Sequence, residues 1–340
     1  MEDADTPPIT SVPNPSPILE LLDAFRRSKV MFAAEALGLF ERLASQPATA
    51  ATLAAGMQLH EGALTRMLDA LVAMNLLNAA DGNYVNAAAT NEYLVRSSPR
   101  SMNGYVRYSN DILFRLWANL EDAVREGTHR WPQTFHLEGP IFSSFFQTDE
   151  AMRTFLSGMH GFGTMSSPRV VEAFDLSHHE TLCDLGGATG HLVAAACDRY
   201  PKLQGILFEL PRVISFAMEY SHPRVKLHAG DFFTDPLPTA DLYTLGRILH
   251  DWTEEKIYFL LMKIHAALPT GGALLIAEKL LHDDKQGPLP ATLQSLNMLI
   301  CTEGQERSLP EYRKLLMTAG FSSVEGRSTG SPVDAILAVK

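Results

Sequence analysis

A glycine-rich segment has the residue types and spacing best suited to holding a small ligand. Asp184–Gly190 (DLGGATG) follows a predicted strand and precedes a predicted helix over His191–Arg199. Glycines such as Gly186 and Gly187 let the backbone turn tightly and approach a ligand closely. The spacing lacks the full dinucleotide fingerprint and the segment has no Walker lysine, so it gives little support to phosphate binding.

Two further polar segments follow the next predicted strands. Glu209 ends one strand about 20 residues further on, where a carboxylate can accept hydrogen bonds from ribose hydroxyls. The alternative for this residue is a surface glutamate. Gly230–Phe233 (GDFF) follows another strand, and its Asp231 and Phe232 can bind and stack an adenine ring. A ligand with adenosine but no pyrophosphate fits this pattern, which predicts S-adenosylmethionine (SAM) as the cofactor.

A histidine after a later predicted strand could supply acid–base chemistry. His250 precedes a predicted helix over Glu254–Ala267. Its ordinary pKa of about 6.5 leaves neutral imidazole available at pH 7, able to accept a proton from a phenol. The alternative is a capping role at this turn, where Asp251 and Thr253 could cap the helix equally well.

The elements that must position these residues form a βαβ series after about residue 180. Such a series predicts a mostly parallel sheet with helices on both faces. The predicted strands are Thr181–Cys183, Gly205–Phe208, Val225–Leu227, Asp241–Thr244 and Ala273–Ala277. Asp334–Val339 is expected to be a late strand, antiparallel at the edge of the sheet.

The N-terminal part has a different pattern. Residues 1–17 are polar and contain five prolines, which predicts a flexible tail. Helices over Val30–Leu43, Ala50–Gly56 and Glu61–Met74, then a hairpin at Asp81-Gly82, predict a winged helix. Residues 46–95 contain only one basic residue, Arg66, so binding to nucleic acid is not expected. A dimerisation or substrate-covering module, with apolar faces over Leu19–Phe40, is the alternative.

Residues 100–175 are predicted to be largely helical and rich in aromatic residues. We expect one helix over Asp149–Met159, with a bend near Gly158, Gly161 and Gly163. Most of the aromatic side chains, which include Tyr105, Tyr108, Phe142, Phe145 and Phe155, are expected in the core, and some could line a cleft between domains. The predicted domains are therefore a dimerisation domain over 18–100, a helical connector lining the cleft over 101–175 and a catalytic domain over 176–340.

The composition of the 340-residue chain is that of an ordinary globular protein, with 46% hydrophobic and 20% charged residues. A net charge of −11 gives no overall attraction to nucleic acid or anionic membranes. Three widely spaced cysteines form neither a disulfide framework nor a zinc motif. His178-His179-Glu180 has no further ligand at suitable spacing, so no metal is expected. The acidic N-terminus is not a secretory signal, and we expect a cytoplasmic protein.

Three of these segments carry a resemblance to a known family. Asp184–Gly187, Gly230–Phe233 and Arg247–Trp252 (RILHDW) resemble SAM-dependent O-methyltransferases of the caffeic-acid and hydroxyindole type. Ser295–Leu299 and Thr302–Arg307 are most similar to the hydroxyindole (acetylserotonin) enzymes. The resemblance covers about 18–340 and implies a winged-helix dimerisation domain, a Rossmann-like class I methyltransferase domain and a homodimer.

The resemblance also implies roles for individual residues. His250 matches the catalytic base, and Glu278 and Glu306 match the acids that flank and orient it. The implied cofactor-binding residues are Asp184, Gly186, Gly187, Glu209, Leu210, Gly230, Asp231, Phe232, Arg247 and Phe146. The implied substrate-contacting residues are Asp251, Asn297, Met298 and Cys301.

Several positions depart from the hydroxyindole pattern. Glu209 stands where Asp is usual, Ala188 replaces a glycine, and Cys301 stands where a longer polar amide is expected. Aromatic rings near the cofactor are expected at Phe146 and Gly163, and Gly163 cannot supply one. The cofactor site therefore looks intact, whereas the acceptor pocket looks altered.

The function that follows is transfer of the SAM methyl group to a hydroxyl of a small aromatic acceptor. A phenol, a hydroxyindole or an enol would serve, with N-acetylserotonin as one example. One alternative is a diverged enzyme that performs N-methylation or another cofactor-assisted reaction. The other is a non-enzymatic winged-helix regulator.

Overall fold

A computed structural model describes residues 13–139, 146 and 148–340. The chain divides into two compact units between Asn91 and Glu92. The sequence places this boundary at residue 100 and separates a connector over 101–175. In the structure, residues 101–175 belong to the same unit as the sheet. Most of the predicted tail, together with Phe142 and Phe145, lies outside the described residues.

The first unit consists of helices followed by a two-stranded hairpin. Its elements are α1 (Ser16–Ala36), α2 (Leu39–Ser45), α3 (Ala50–Met57), α4 (Glu61–Ala73), β1 (Leu77–Ala80) and β2 (Asn83–Asn86). The turn residues Asp81 and Gly82 both have positive φ, 51° and 75°. A two-residue turn with two positive φ angles matches the twist of a hairpin, and the predicted hairpin is confirmed.

The predicted helix over Val30–Leu43 is wrong, because the chain breaks it in two. The first helix ends at Ala36 and the next begins at Leu39. Gly38 between them has a φ of 74°, a left-handed conformation that an α-helix cannot contain. The apolar pattern of this segment continues across the break and therefore hides it from the sequence.

α5 (Ala88–Tyr93) crosses the division between the units. Further helices follow it among the described residues: α6 (Asn103–Tyr108), a π-helical turn (Ser109–Leu113), α7 (Phe114–Trp117), α8 (Leu120–Glu126), α9 (Trp131–Phe135) and α10 (Asp149–Glu172).

The predicted end of this helix at Met159 is also wrong, because α10 runs through its glycines to Glu172 without interruption. The glycines instead permit close helix packing. A Cβ on Gly158 would lie 2.7 Å from the backbone N of Tyr105, and one on Gly161 would lie 2.5 Å from the carbonyl O of Ser101. Both distances are too short for a side chain, so glycine lets α10 lie directly against α6.

Seven strands of the second unit form one sheet. They are β3 (Thr181–Leu185), β4 (Gln204–Glu209), β5 (Val225–Ala229), β6 (Leu242–Gly246), β7 (Ala273–Glu278), β8 (Ser323–Arg327) and β9 (Asp334–Val339), in the order β5-β4-β3-β6-β7-β9-β8. All pairs are parallel except those of β9. The predicted edge position of Asp334–Val339 is wrong, because β8 pairs with its outer side.

Helices cover both faces of this sheet, as predicted. They are α11 (His191–Arg199), α12 (Pro211–Ala217), α13 (Glu254–Ala267), α14 (Leu289–Cys301) and α15 (Leu309–Thr318). Apolar residues of α13 and α15 form a core with one face, and those of α10 and α11 form a core with the other. The strand order reverses between β3 and β6, so a crevice is expected there at the carboxyl ends of the strands. Across the described ranges, no helix has the length and hydropathy to span a bilayer.

Candidate active site

A cavity of about 540 Å³ lies at this reversal point, at the carboxyl ends of β3, β4, β5 and β6. Its volume is that of a typical small-molecule or cofactor site. Every residue that the sequence assigns to cofactor or substrate binding lines it. His250 lines it as well, whereas Glu278 and Glu306 do not.

The glycine-rich loop after β3 depends on the absence of side chains. A Cβ on Gly187 would overlap the carboxylate of Asp184, and Gly186 has a φ of 68°. Asp184 is buried and accepts a hydrogen bond of 2.7 Å from Thr244 Oγ1. Burial raises the pKa of Asp184 to about 6, although the bond from Thr244 opposes the rise. Ala188 has a φ of 54°, a left-handed conformation that favours glycine.

Glu209 lies at the carboxyl end of β4, beside this loop. Its Oε2 accepts a hydrogen bond of 2.6 Å from the N–H of Leu210. Burial raises the pKa of Glu209 to about 8, and the nearby carboxylates of Asp184 and Asp231 add to the rise. A bound ribose would supply hydroxyl donors that stabilise the charged carboxylate.

Aromatic side chains form the next part of the wall. The rings of Phe232 and Phe233 lie 4.8 Å apart, and Trp252 meets Phe233 edge-on at 5.1 Å. Gly230 leaves room for the ring of Phe208, which a Cβ at this position would contact at 2.5 Å. Such a wall suits an adenine ring.

His250 is held from one side by two buried carboxylates. Its Nδ1 lies 2.7 Å from Oε1 of Glu306 and 3.1 Å from Oε2 of Glu278. Because Nδ1 carries the hydrogen toward these acids, Nε2 is the nitrogen left for the cavity. Asp251 is the remaining charged neighbour, with Oδ1 3.7 Å from Nε2.

Glu278 also holds the backbone that carries His250. It ends β7, and its Oε1 accepts hydrogen bonds of 2.9 Å from the N–H groups of Ile248 and Leu249. Ile248 precedes and Leu249 begins the short 3₁₀ turn Leu249–Asp251. One fully buried carboxylate therefore fixes both the turn and the imidazole that it carries.

The charges around His250 shift its pKa. Burial by itself would lower the pKa, but the carboxylates of Glu278, Glu306 and Asp251 outweigh it and raise the pKa above its ordinary value. Burial raises the pKa of Glu278 in turn, because it disfavours the charged carboxylate.

The donor atoms of His250, Glu278 and Glu306 lie within 4.8 Å of one another, close enough to ligate a metal ion. Neighbouring ligands of a tetrahedral zinc ion lie about 3.3 Å apart, given bonds of about 2.0–2.1 Å. The 2.7 Å between Nδ1 and Glu306 is instead the length of a direct, charge-assisted hydrogen bond. The geometry thus favours a proton held between His250 and Glu306 over a metal ion. The absence of a metal from the reaction stays a prediction.

The remaining substrate candidates lie on α14. Oδ1 of Asn297 accepts a hydrogen bond of 2.9 Å from Nε1 of Trp117 on α7. Sγ of Cys301 lies 3.8 Å from the same oxygen. The side-chain NH₂ of Asn297 is therefore the half of the amide available to another group, and Met298 adds apolar surface.

Several residues that line this cavity were not predicted from the sequence to bind cofactor or substrate. Among them are Tyr105 and Tyr108 of α6, Phe155 and Met159 of α10, His191 of α11 and Gln294 of α14. Tyr105, Tyr108 and Phe155 belong to the segment 100–175, which the sequence shows to be rich in aromatic residues. Nothing in the sequence says which of these rings face a ligand.

The fold and this cavity define a SAM-type methyltransferase with a helical N-terminal domain. The chain belongs to the O-methyltransferase family: residues 117–322 match its O-methyltransferase domain, and residues 19–96 match its dimerisation domain.

Comparison with individual relatives narrows the class of methyltransferase. Acetylserotonin O-methyltransferase of Bos taurus is 38% identical over 332 residues, which cover 94% of this chain and 96% of the relative. The Gallus gallus enzyme of the same name is 37% identical and covers 100% and 99%. The crystal structure of human N-acetylserotonin methyltransferase in complex with SAM matches with a TM-score of 0.93 and 36% identity, over 97% of this chain and 99% of that one.

This protein is therefore a SAM-dependent O-methyltransferase related to acetylserotonin O-methyltransferases. The predicted enzyme class, cofactor and fold class are confirmed. Glu209, Asp231 and Phe232 fit an adenosine, because half-buried acids and aromatic rings lie side by side at the carboxyl ends of neighbouring strands.

The raised pKa of Glu209 predicts that cofactor affinity depends on pH. Ribose hydroxyls favour the charged carboxylate, so S-adenosylhomocysteine (SAH) should bind more tightly as pH rises through about 8. Calorimetric titrations between about pH 6.5 and 9 should show roughly a tenfold gain.

Glu209→Gln should bind SAH more weakly and lose this part of the pH dependence, whereas Glu209→Asp should keep it. Titration of the SAH amine is common to all three proteins and cancels in the comparison. Equal pH slopes for the wild type and Glu209→Gln would contradict the assignment.

Proposed function

We propose that the protein transfers the methyl group of SAM to a hydroxyl of a small aromatic acceptor, a phenol or a hydroxyindole, with His250 as the general base. The observation that supports this most strongly is the position of His250. Its Nδ1 is held by Glu306 and Glu278, and its other nitrogen is left for the cavity that the cofactor candidates line.

When bound, SAM supplies a methyl group already activated by its sulfonium charge. The protein has to place the acceptor oxygen in line with that methyl and take up the hydroxyl proton. Nε2 of His250 accepts this proton as the oxygen–carbon bond forms and the sulfur–carbon bond breaks. The developing imidazolium charge lies 2.7 Å from Glu306, which stabilises it.

Glu278 and Glu306 act in this scheme as positioning residues, since neither lines the cavity. They fix the ring orientation and the tautomer. They also bring the basicity of the imidazole closer to that of a phenol, whose pKa is about 10. Proton transfer to a better-matched base is easier, which is the effect expected of a tuned general base.

The acceptor side supports an aromatic substrate with polar groups. Tyr108, Phe155 and Met298 supply apolar surface, and Asp251 and Asn297 supply an acceptor and a donor. Cys301 leaves more room than the longer amide expected there. A hydroxyindole with a substituent larger than that of N-acetylserotonin therefore belongs in the first acceptor screen.

Replacement of the base tests the mechanism. We expect His250→Ala to lower turnover about 10²–10⁴-fold with SAM and the best acceptor of a phenol and hydroxyindole screen. SAH affinity, measured by calorimetry, should be unchanged. His178→Ala, which removes an exposed histidine outside the cavity, is the matched control. Near-normal turnover by His250→Ala would mean that another group takes the proton.

The pH profile tests the role of the carboxylates. Because the base must be neutral, kcat/KM should fall as pH drops through the raised pKa, and this acid limb should lie above pH ~6.5. Glu306→Gln removes one negative charge and keeps an acceptor for Nδ1–H. It should lower the pKa of His250 and move the limb to lower pH. An acid limb at the same pH in the wild type and in Glu306→Gln would contradict the proposal that Glu306 raises the pKa of His250.

We further propose that the protein is a homodimer built through its dimerisation domain. Five large apolar side chains of α1 are between 55% and 75% exposed: Ile18, Leu19, Leu21, Leu22 and Phe25. A second copy of this helix would cover them. Light scattering after size exclusion should give twice the chain mass. Leu21→Glu should shift the protein toward the single-chain mass, and a wild type at that mass would refute the dimer.

A further inference from the structure

The ring of His191 occupies the space beside Gly163. His191 is the first residue of α11, and Gly163 lies in the middle of α10. A Cβ built on Gly163 would overlap the Cδ2, Cγ and Nδ1 atoms of this ring. No side chain can therefore be present at 163 while the ring keeps its position, so the two residues form a matched pair.

A hydrogen bond from α10 sets the orientation of the His191 ring. Oγ of Ser167 lies 2.8 Å from Nδ1 of His191. Ser167 is buried, and within the described ranges its hydroxyl has no other hydrogen-bond partner. A hydroxyl that donates to Nδ1 here leaves the ring hydrogen on Nε2.

The imidazole of His191 is neutral. Burial lowers its pKa to about 3, and the neighbouring side chains of His160 and Arg247 contribute to the lowering. A neutral ring does not repel the sulfonium and ammonium groups of SAM. An N–H group can still donate to the carboxylate of its methionyl part.

His191 also lies beside the parts of the cavity that matter for the cofactor. It directly follows the glycine-rich loop and lines the same cavity as Gly186 and Gly187. Arg247, which also lines the cavity, adds a positive charge near the ring. A carboxylate bound here would meet one cation and one neutral N–H donor.

We propose that His191 is a cofactor-binding residue whose ring fills the space that Gly163 leaves open. Its ring packs against bound SAM or SAH, and its Nε2–H donates to the carboxylate of the amino-acid part. The ring at this part of the cofactor site thus comes from α11, and Gly163 on α10 leaves the room that it fills. The assignment depends on SAM as cofactor and is independent of the acceptor and of His250 as base.

Calorimetric titration with SAH tests this assignment without any methyl transfer. His191→Ala should weaken SAH binding about tenfold or more, because it removes a hydrogen bond to a charged group and the packing of a ring. His191→Phe keeps a ring but not the N–H donor, so it should lose less SAH affinity than His191→Ala. His178→Ala is the control and should bind SAH as the wild type does.

The double variant Gly163→Trp with His191→Ala moves the ring to the other helix. Because tryptophan supplies both a ring and an N–H donor, this variant should regain most of the affinity that His191→Ala loses. Gly163→Trp alone should bind poorly, since its ring would overlap that of His191.

Melting of each variant without ligand separates lost binding from lost folding. The assignment is overturned if His191→Ala and His191→Phe are folded and bind SAH as tightly as the wild type. It is also overturned if the double variant binds no better than His191→Ala. Failure of the proposed function has a different signature, in which SAH binding persists but His250→Ala retains turnover.

Discussion

The site depends on one fully buried carboxylate, that of Glu278. It ends a central strand and accepts the backbone N–H groups of Ile248 and Leu249, while its other oxygen contacts His250. A buried charge without such partners would cost several kcal/mol. Because the partners are the turn and the imidazole, the need to satisfy this charge fixes the position of His250 relative to the sheet.

The cavity is lined by the acidic side chains of Asp184, Glu209, Asp231 and Asp251. Burial raises the pKa of Asp184 and Asp251 to about 6 each, and that of Glu209 to about 8. Acids in such surroundings are stabilised by hydrogen-bond donors and positive charge. SAM carries a sulfonium charge, an ammonium group and ribose hydroxyls, so its binding relieves this electrostatic cost. Neutral His191 completes the wall without adding repulsion.

Local patterns were sufficient for much of the fold and of the cofactor site. Helix His191–Arg199 and helix Glu254–Ala267 lie where the sequence predicts them, since each shows apolar periodicity between clear start and stop signals. The break at Gly38 and the unbroken α10 were not predictable in this way. A glycine marks a possible turn and a possible close contact equally well, and only its neighbours decide between them.

The sequence by itself determined the class of fold, the cofactor and the acidic and aromatic residues at the strand ends, because these follow from short segments with fixed spacing. Tertiary structure alone decided which distant groups meet. The contact between His250 and Glu306 spans 56 residues and was expected only from the family resemblance, and the pair of Gly163 and His191 joins two helices. Such contacts depend on how helices pack on the sheet, which no local pattern in the chain records.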